Sequence, residues 1–362
     1  MPELKCACQD EFYLHCPSLV KKFAWFRMKI LNNFHTLFRA LWLVSLLVPA
    51  LLAAQSKYAG ESFSVGVGGR GLAMGSAFHT LATGPEALYW NPAGMARTVG
   101  AQPNSIAFMH SERFDGEVVY NFIGYTRRLS REAGPMTVGV GLIHLGVGDI
   151  PLVTRLEDPD RELGDDNRPV IDRYISKNDF AILAGFGRKF GKRNHFGANV
   201  KILHERYLDV TATGFGFDAG AVFGVRWFMP LLVSVSARDI TTSFLAYSTG
   251  KREYIKPWIS AGVALEEGFR LPGGRLIAAA EVSVPVERRR ANYGSTSAYL
   301  MSLLHLGAEY SLYERMFLRT GLDERNLTFG AGLKVRELAV DYAWIGHRDL
   351  NQTHRVSLAY SF

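Results

Sequence analysis

Cysteine and charge are both scarce in this chain of 362 residues. Its three cysteines, Cys6, Cys8 and Cys16, lie near the N-terminus, so disulfide scaffolds, cysteine nucleophiles and thiolate metal sites are excluded from the rest. Charged residues make up 21% of the sequence, and no run of Lys and Arg exceeds the three of Arg288–Arg290. The net charge of +7 therefore lacks the clustered basic face that nucleic-acid binding requires.

Common catalytic patterns are missing as well. The sequence contains neither G-x-S-x-G nor H-E-x-x-H, the signatures of α/β-hydrolases and zinc proteases. The histidines near candidate strands are scattered singly: His110, His144, His204, His305, His347 and His354. We therefore expect no enzymatic activity and no cofactor.

One acidic segment, 157–166, supplies hard oxygen ligands of the kind that calcium prefers. Its acidic residues are Asp158, Asp160, Glu162, Asp165 and Asp166. The EF-hand pattern fails, because Leu163 stands where glycine is needed and Pro169 where the bidentate glutamate is needed. We expect a solvated loop and no metal site, with weak calcium binding or bridging to lipopolysaccharide as the alternative.

The N-terminus carries an uncharged stretch of fifteen residues, Ala40–Ala54. A transmembrane helix needs about 18 to 25 such residues, whereas the core of a signal peptide needs about 7 to 15. We predict a signal peptide over 28–54, with translation starting at Met28 and residues 1–27 as an upstream extension. A metal site built from Cys6, Cys8, Cys16 and His15 is the alternative interpretation of that extension.

Beyond residue 100 the apolar residues alternate with small or polar ones, the pattern of β-strands. In the last segment Val356, Leu358, Tyr360 and Phe362 alternate with Arg355, Ser357, Ala359 and Ser361. We predict fourteen strands, near 104–111, 118–127, 136–145, 179–189, 196–206, 213–224, 231–239, 258–266, 276–285, 302–313, 316–322, 327–334, 338–344 and 354–362.

An even strand number is typical of a bacterial outer-membrane β-barrel, in which short turns at one end alternate with long loops at the other. With the C-terminus in the periplasm, every odd-numbered connection is extracellular. The three longest predicted connections, 146–178, 240–257 and 286–301, are all odd-numbered. The sequence thus predicts an all-β fold: a fourteen-stranded antiparallel transmembrane barrel over 101–362, in the outer membrane of a Gram-negative-type bacterium.

One face of the predicted strands is large and aromatic, while the other is small with isolated charges. In a membrane barrel the small, polar face lines the lumen. The predicted lumenal charges are Lys201, Asp218, Arg238, Glu281, Glu309, Lys334 and Asp341. The aromatic residues of the last strand, Tyr360 and Phe362, are predicted to be a recognition signal for the barrel assembly machinery.

Residues 55–100 are glycine-rich and do not alternate well. Gly66, Gly68 and Gly71 spell G-x-G-x-x-G, but a dinucleotide site needs a βαβ unit around it, and here barrel strands follow. We predict instead a compact segment in which glycines permit close backbone packing.

Two runs within this segment, RGLAMGSAF over 70–78 and ALYWNPAGM over 87–95, resemble the N-terminal signature of PorV/PorQ-type outer-membrane proteins. These are relatives of the FadL long-chain fatty-acid transporters. The stretch from Tyr247 through Pro257 to Ala264 resembles the same type. The resemblance implies a fourteen-stranded barrel with an N-terminal hatch in the lumen at 55–100. The hatch residues it implies are Arg70, Met74, Asn91, Pro92, Ala93 and Gly94.

A fourteen-stranded barrel is too wide for its own side chains to fill, which makes a hatch physically reasonable. Asn91 and Pro92 are expected to form a rigid turn, and Arg70 to pair with one of Asp218, Glu281, Glu309 and Asp341. The expected function is passive passage of hydrophobic or amphipathic small molecules, with outer-membrane lipid and lipopolysaccharide as surroundings. The alternative is a PorV-like role in type IX secretion, docking secretion-system proteins through 146–178 and 286–301.

Overall fold

A computed structural model describes residues 60–97, 102–114, 116–129, 135–226, 229–240, 243–265, 268–286, 296–301, 303–346 and 352–362. The predicted extension over 1–27 and the predicted signal peptide over 28–54 lie outside these ranges. Both stay predictions, as does the alternative metal site of the extension.

Most of the described chain is β-strand. The strands are β1 Asn104–Arg113, β2 Val118–Leu129, β3 Met136–Leu156, β4 Pro169–Phe190, β5 Asn194–Tyr207, β6 Val210–Arg226, β7 Pro230–Arg238, β8 Phe244–Tyr247, β9 Arg252–Tyr254, β10 Trp258–Leu265, β11 Phe269–Leu271, β12 Gly274–Pro285, β13 Leu304–Leu312, β14 Met316–Asp323, β15 Asn326–Val335, β16 Leu338–Ile345 and β17 Thr353–Ser361. Successive side chains of a strand point to opposite faces of the sheet, so the apolar residues that alternate in the sequence share one face.

Fourteen of these strands form one closed antiparallel ring. Each pairs with the next along the chain, β7 pairs with β10, β10 with β12, and β17 returns to β1. The short strands β8, β9 and β11 lie outside the ring sequence, on β6, β8 and β12 respectively. The predicted fourteen-stranded antiparallel barrel is confirmed, and each predicted strand overlaps one strand of the ring, although β3 and β4 are much longer than predicted.

The barrel wall carries its apolar side chains on the outer face and its small or polar ones on the inner face, the reverse of a soluble barrel. On β17 the apolar Val356 and Leu358 are 48% and 43% exposed, while Arg355 and Ser357 are each 3% exposed. Adjacent strands repeat this pattern, so large aliphatic and aromatic side chains point outward. An apolar outer band of this kind suits lipid, since a soluble barrel would face water with its polar side.

The two ends of the barrel differ. At one end, here the short-turn end, connections such as 313–315 and 336–337 are only a few residues long. The opposite, long-loop end carries the three connections that were predicted to be longest. Two of these predictions need correction: β3 and β4 continue as a hairpin that leaves only 157–168 as loop, and 240–257 contains β8 and β9.

Helices are few and short. They are α1 Gly69–Ala73, α2 Ala87–Trp90 and α3 Thr296–Met301, with 3₁₀ turns at Glu61–Phe63, Gly84–Glu86 and Pro92–Arg97. None in the described ranges is long and apolar enough to cross a membrane.

The N-terminal segment, residues 60–97, lies inside the ring. Its buried residues Met74 and Leu88 belong to the same hydrophobic core as the inward-facing Ile143, Leu183 and Leu203 of the wall. Because the segment contacts strands from β1 around to β17, the wall encloses it on all sides. The N-terminal segment therefore occupies the lumen.

Candidate functional site: the lumen and the N-terminal segment

Glycine gives the N-terminal segment its tight path. Gly66 and Gly68 have φ values of +88° and +80°, which L-residues with a side chain rarely adopt. They lead into α1, a single helical turn, and the strands that follow are antiparallel. The G-x-G-x-x-G pattern therefore serves chain reversal inside a barrel, and the βαβ unit of a dinucleotide site is absent from the described residues.

The segment touches the wall where wall residues have no side chain. A Cβ on Gly307 or Gly321 would lie closer than 3.0 Å to atoms of Met74, nearer than real Cβ atoms approach. The hydroxyl of Thr328 adds polar contacts there, accepting from the Gly75 N–H and donating to the Ala73 carbonyl, both at 3.0 Å. Wall glycines thus form a recess that fits the end of α1.

An arginine–carboxylate network, comprising Arg70, Glu309, Arg319 and Asp341, joins the segment to the wall. Arg70 donates two hydrogen bonds to Glu309, Nε to Oε2 and Nη2 to Oε1, each of 2.8 Å. Arg319 donates to the same Glu309 at 2.6 Å and to Asp341 at 2.7 Å. Glu309 is 2% exposed, so two guanidinium groups share one buried carboxylate. Charge-assisted hydrogen bonds of this kind are strong, and removing one partner destabilises the folded state because a buried charge is left unpaired.

A second anchor involves His79, Thr80 and Glu281. The carboxylate of Glu281 accepts the backbone N–H groups of His79 and Thr80, at 3.1 and 2.8 Å. His79 Nδ1 lies 2.9 Å from the same carboxylate, and burial lowers the pKa of this histidine. Thr80 Oγ1 also lies 2.7 Å from Ser234 Oγ on β7. This anchor fixes the middle of the segment to the wall strands β7 and β12.

The Asn-Pro turn forms the third contact. Asn91 is fully buried, and its Oδ1 accepts the Ala93 N–H while its carbonyl accepts the Gly94 N–H. A Cβ on Gly94 would collide with the Ala82 carbonyl, so glycine is required there. The Pro92 carbonyl packs against wall glycines, including Gly197. A rigid turn therefore closes the segment against β4 and β5.

The predicted lumenal charges fall into distinct settings. Glu309 and Asp341 belong to the arginine–carboxylate network, and Glu281 holds His79 and Thr80. Lys201 pairs with Asp218 at 2.9 Å and with Asp239 at 2.7 Å, close to where β7 ends. Arg238 lies over the Tyr89 ring, 5.2 Å from its centroid.

Lys334 departs from the mid-lumen position that its alternation predicted. It shares the inward side of β15 with Thr328 but is exposed, since the strand ends one residue later at the short turn. It therefore lies at the barrel mouth. Tyr360 on β17 and Phe362 just beyond the strand are both exposed, with ring centroids 5.7 Å apart. Its role in assembly stays a prediction.

The sequence did not single out several residues that hold the segment. Arg319 is one, and Arg355, whose Nη1 donates to the carbonyls of Val65 and Gly66 at 3.0 and 3.2 Å, is another. Both alternate along their strands with outward apolar residues. The alternation that identified Glu309 as an inward charge could therefore have identified them as well. The register between neighbouring strands was needed to show which of the inward charges pair with one another.

Arg355 also contributes to a positively charged patch toward the long-loop end. It lies two strands from Tyr120, with Ser111 of β1 between them in register. The Tyr120 hydroxyl and the Nε atoms of Arg113 and Arg355 lack hydrogen-bond partners among the described residues. Buried donors without partners favour a ligand with a polar end.

Glu86 makes attachment of the segment sensitive to pH. Burial raises the pKa of Glu86 to about 8, with Asp341 adding to the effect and Arg70 and Arg319 opposing it. A detached segment would return this pKa to its ordinary value near 4.5. The attached state therefore holds the proton more tightly, and its stability falls as pH rises from about 4.5 to about 8.

We expect proteolytic cleavage within 60–97 of the folded barrel to increase over that pH range, in a protease assay corrected for the enzyme's own pH profile. Glu86→Gln should flatten the dependence, because the amide cannot ionise. An unchanged pH profile in Glu86→Gln would contradict the assignment.

The described residues contain no group of three or more His, Cys, Asp or Glu placed to hold a metal ion. Several polar groups of the lumen are instead paired between segment and wall, as in the arginine–carboxylate network and the contacts of Glu281.

No family model matches the chain, and no curated protein matches it. Among solved structures, the deltaS2S3 mutant of the TodX monoaromatic hydrocarbon channel matches with a TM-score of 0.53 and 13% identity, covering 82% of this chain and 99% of the other. The CymD monoaromatic hydrocarbon channel matches with a TM-score of 0.52 and 12% identity, covering 82% and 98%. At these identities the comparison shows a shared fold: this chain has the barrel architecture of these two solved structures.

Proposed function

We propose that this chain lets hydrophobic or amphipathic small molecules pass across the outer membrane, with residues 60–97 as a hatch. The observation that carries the proposal is the N-terminal segment held inside a lipid-facing barrel by noncovalent polar contacts. Such contacts can break and re-form. The segment could then move aside without unfolding of the wall.

The fold shared with two monoaromatic hydrocarbon channels supports an apolar cargo for this chain. The patch formed by Arg113, Tyr120 and Arg355 supports the extension to amphipathic cargo, because an anionic end would pair with the guanidinium groups. Passage is passive in this proposal, driven by the concentration difference. The PorV/PorQ assignment and the type IX docking role receive no support from these comparisons and stay predictions.

A reversible lock on the hatch tests the mechanism. Thr80→Cys with Ser234→Cys replaces two hydroxyls that lie 2.7 Å apart, one on the segment and one on β7. No cysteine follows Cys16, so the new pair is the only one in the barrel sequence. We expect oxidation to reduce uptake of labelled toluene by cells carrying the variant to the level of cells lacking the chain, and a reducing agent to restore it.

The matched control is Ser260→Cys with Ser283→Cys, whose hydroxyls lie 2.8 Å apart on neighbouring wall strands. This disulfide leaves the segment untethered, so uptake should not change on oxidation. Uptake that survives the hatch lock would contradict the hatch. Equal uptake by cells with and without the wild-type chain would contradict passage itself.

A further inference from the structure

Four polar side chains point outward on four adjacent strands of the wall, each within hydrogen-bond distance of the next. We call His110, Asn121, His144 and Asn178 the polar ladder. His110 lies opposite Asn121, and Asn121 opposite His144, in the strand register. Their alternation with buried residues such as Met109 and Phe122 places them on the outer face. The histidines that are isolated in the sequence are therefore neighbours in space.

The polar ladder is joined by hydrogen bonds running in one direction. His110 Nδ1 lies 2.8 Å from Asn121 Oδ1, Asn121 Nδ2 lies 3.3 Å from His144 Nδ1, and His144 Nε2 lies 3.1 Å from Asn178 Oδ1. With each imidazole donating to the next amide oxygen, the second amide hydrogen of Asn121 remains unused within the ladder. The ladder therefore keeps donor capacity toward the outside.

The ladder marks a boundary on the outer surface. Two residues nearer the short-turn end, the same strands carry Phe108, Ile123, Leu142 and Phe180. Phe108, Ile123 and Phe180 are 43%, 40% and 36% exposed. Where apolar side chains give way to polar ones around a membrane barrel, the hydrocarbon layer meets the lipid headgroups.

A groove of about 350 Å³ crosses this boundary. His110, Asn121 and His144 line its polar end, while Phe108, Ile123 and Leu358 line its apolar part. One end offers hydrogen-bond donors and the other a surface for a hydrocarbon chain. The occupant that matches both is an amphiphile oriented like a lipid of the outer leaflet.

We propose that this groove binds a phosphorylated lipid, with the phosphate on the polar ladder and an acyl chain along the apolar part. The imidazole of His110 takes up positive charge near neutral pH and attracts phosphate, and the amide hydrogen of Asn121 that the ladder leaves unused donates a hydrogen bond to it. Arg206, opposite Asn178 on β5, adds a fixed positive charge beside the ladder. Glu112, 3.3 Å from His110 Nε2, is the opposing carboxylate and balances only one of these cations. The proposal is independent of whether the lumen conducts any molecule.

The test uses the full chain in phosphatidylcholine vesicles containing either lipid A or its dephosphorylated form, which carries the same acyl chains. After detergent extraction, native mass spectrometry counts the lipids retained per barrel. We expect about tenfold more retention of lipid A, the ratio that one charge-assisted hydrogen bond provides. Equal retention of the two lipids would overturn the proposal.

Variants separate the two halves of the site. Asn121→Leu with His144→Leu should abolish the preference for phosphate, and Leu142→Trp should reduce retention of both lipids by filling the groove. His204→Leu is the matched control, since His204 is also outward on β5 but outside the groove. A heat-modifiable band on a gel verifies that each variant is folded. Unchanged lipid A retention in the double variant would refute the assignment.

Inorganic phosphate distinguishes a lipid site from an anion site. Excess free phosphate should leave lipid A in place, because the acyl chain contributes binding that the ion lacks. Displacement by phosphate alone would overturn the lipid as the occupant.

Discussion

Replacing Glu309 with alanine is expected to release the N-terminal segment from the wall while the barrel stays closed. The substitution leaves Arg70 without its bidentate partner and Arg319 with Asp341 alone. Removing one member of a buried ion pair costs about 3–5 kcal/mol, because a charge remains desolvated without compensation. The cost falls on the attached state, since a detached segment lets Arg70 reach water.

Limited trypsin digestion of the folded barrel measures this release, because Arg70 becomes a cleavage site once α1 leaves the lumen. Glu309→Ala should be cleaved there much faster than the wild type, while its heat-modifiable band persists. Glu337→Ala, an exposed carboxylate in a short turn, is the control and should behave as the wild type. If Glu309→Ala is cleaved no faster, the network does not anchor the segment. Loss of the folded band would show that Glu309 supports the wall itself.

Gly321→Val is expected to displace the same part of the segment by a steric route. A Cβ at this position would lie closer than 3.0 Å to the backbone of Met74 and Gly75. Backbone atoms cannot rotate away as a side chain can, so the end of α1 must move. That movement breaks the hydrogen bonds of Thr328 with Gly75 and Ala73. Overpacking costs up to about 3 kcal/mol.

Hydrogen exchange of the backbone amides of 72–78 measures this displacement. A loss of about 3 kcal/mol of local stability corresponds to roughly 100-fold faster exchange. Gly148→Val is the matched control, because no atom lies within 4 Å of a Cβ at that glycine and its φ is not in the left-handed region. Equal exchange in both variants would mean that the recess at Gly321 does not hold the segment.

The strand number could be predicted because lipid imposes a strict rule on the wall. Every ring strand must expose apolar side chains on one face, and the lumen forces small or polar ones on the other, so period two persists through β17. Where a strand extends beyond the apolar band, its side chains need not alternate between apolar and polar. Val147–Leu156 and the stretch of β4 that pairs with it have no buried residue on either face, and there the sequence suggested a loop although the strands continue.

The candidate site could be predicted only in part. Alternation identified Glu281, Glu309 and Asp341 as inward charges, and Arg70 as a residue that needs an acid. Alternation did not decide which of four acidic residues pairs with Arg70, and it did not single out Arg319. Those choices depend on which strands are neighbours and by how many residues they are offset, which no single strand records.

The sequence by itself determined that this chain forms a fourteen-stranded barrel with a lipid-facing exterior. Alternation of apolar and polar residues is a local pattern, and each strand shows it within its own segment of the sequence. Only the tertiary structure decided that Glu309 joins Arg70 to Arg319, that Gly321 makes room for Met74, and that His110 and His144 share one ladder. These contacts link residues distant in sequence, and closure of the ring sets the register that brings them together.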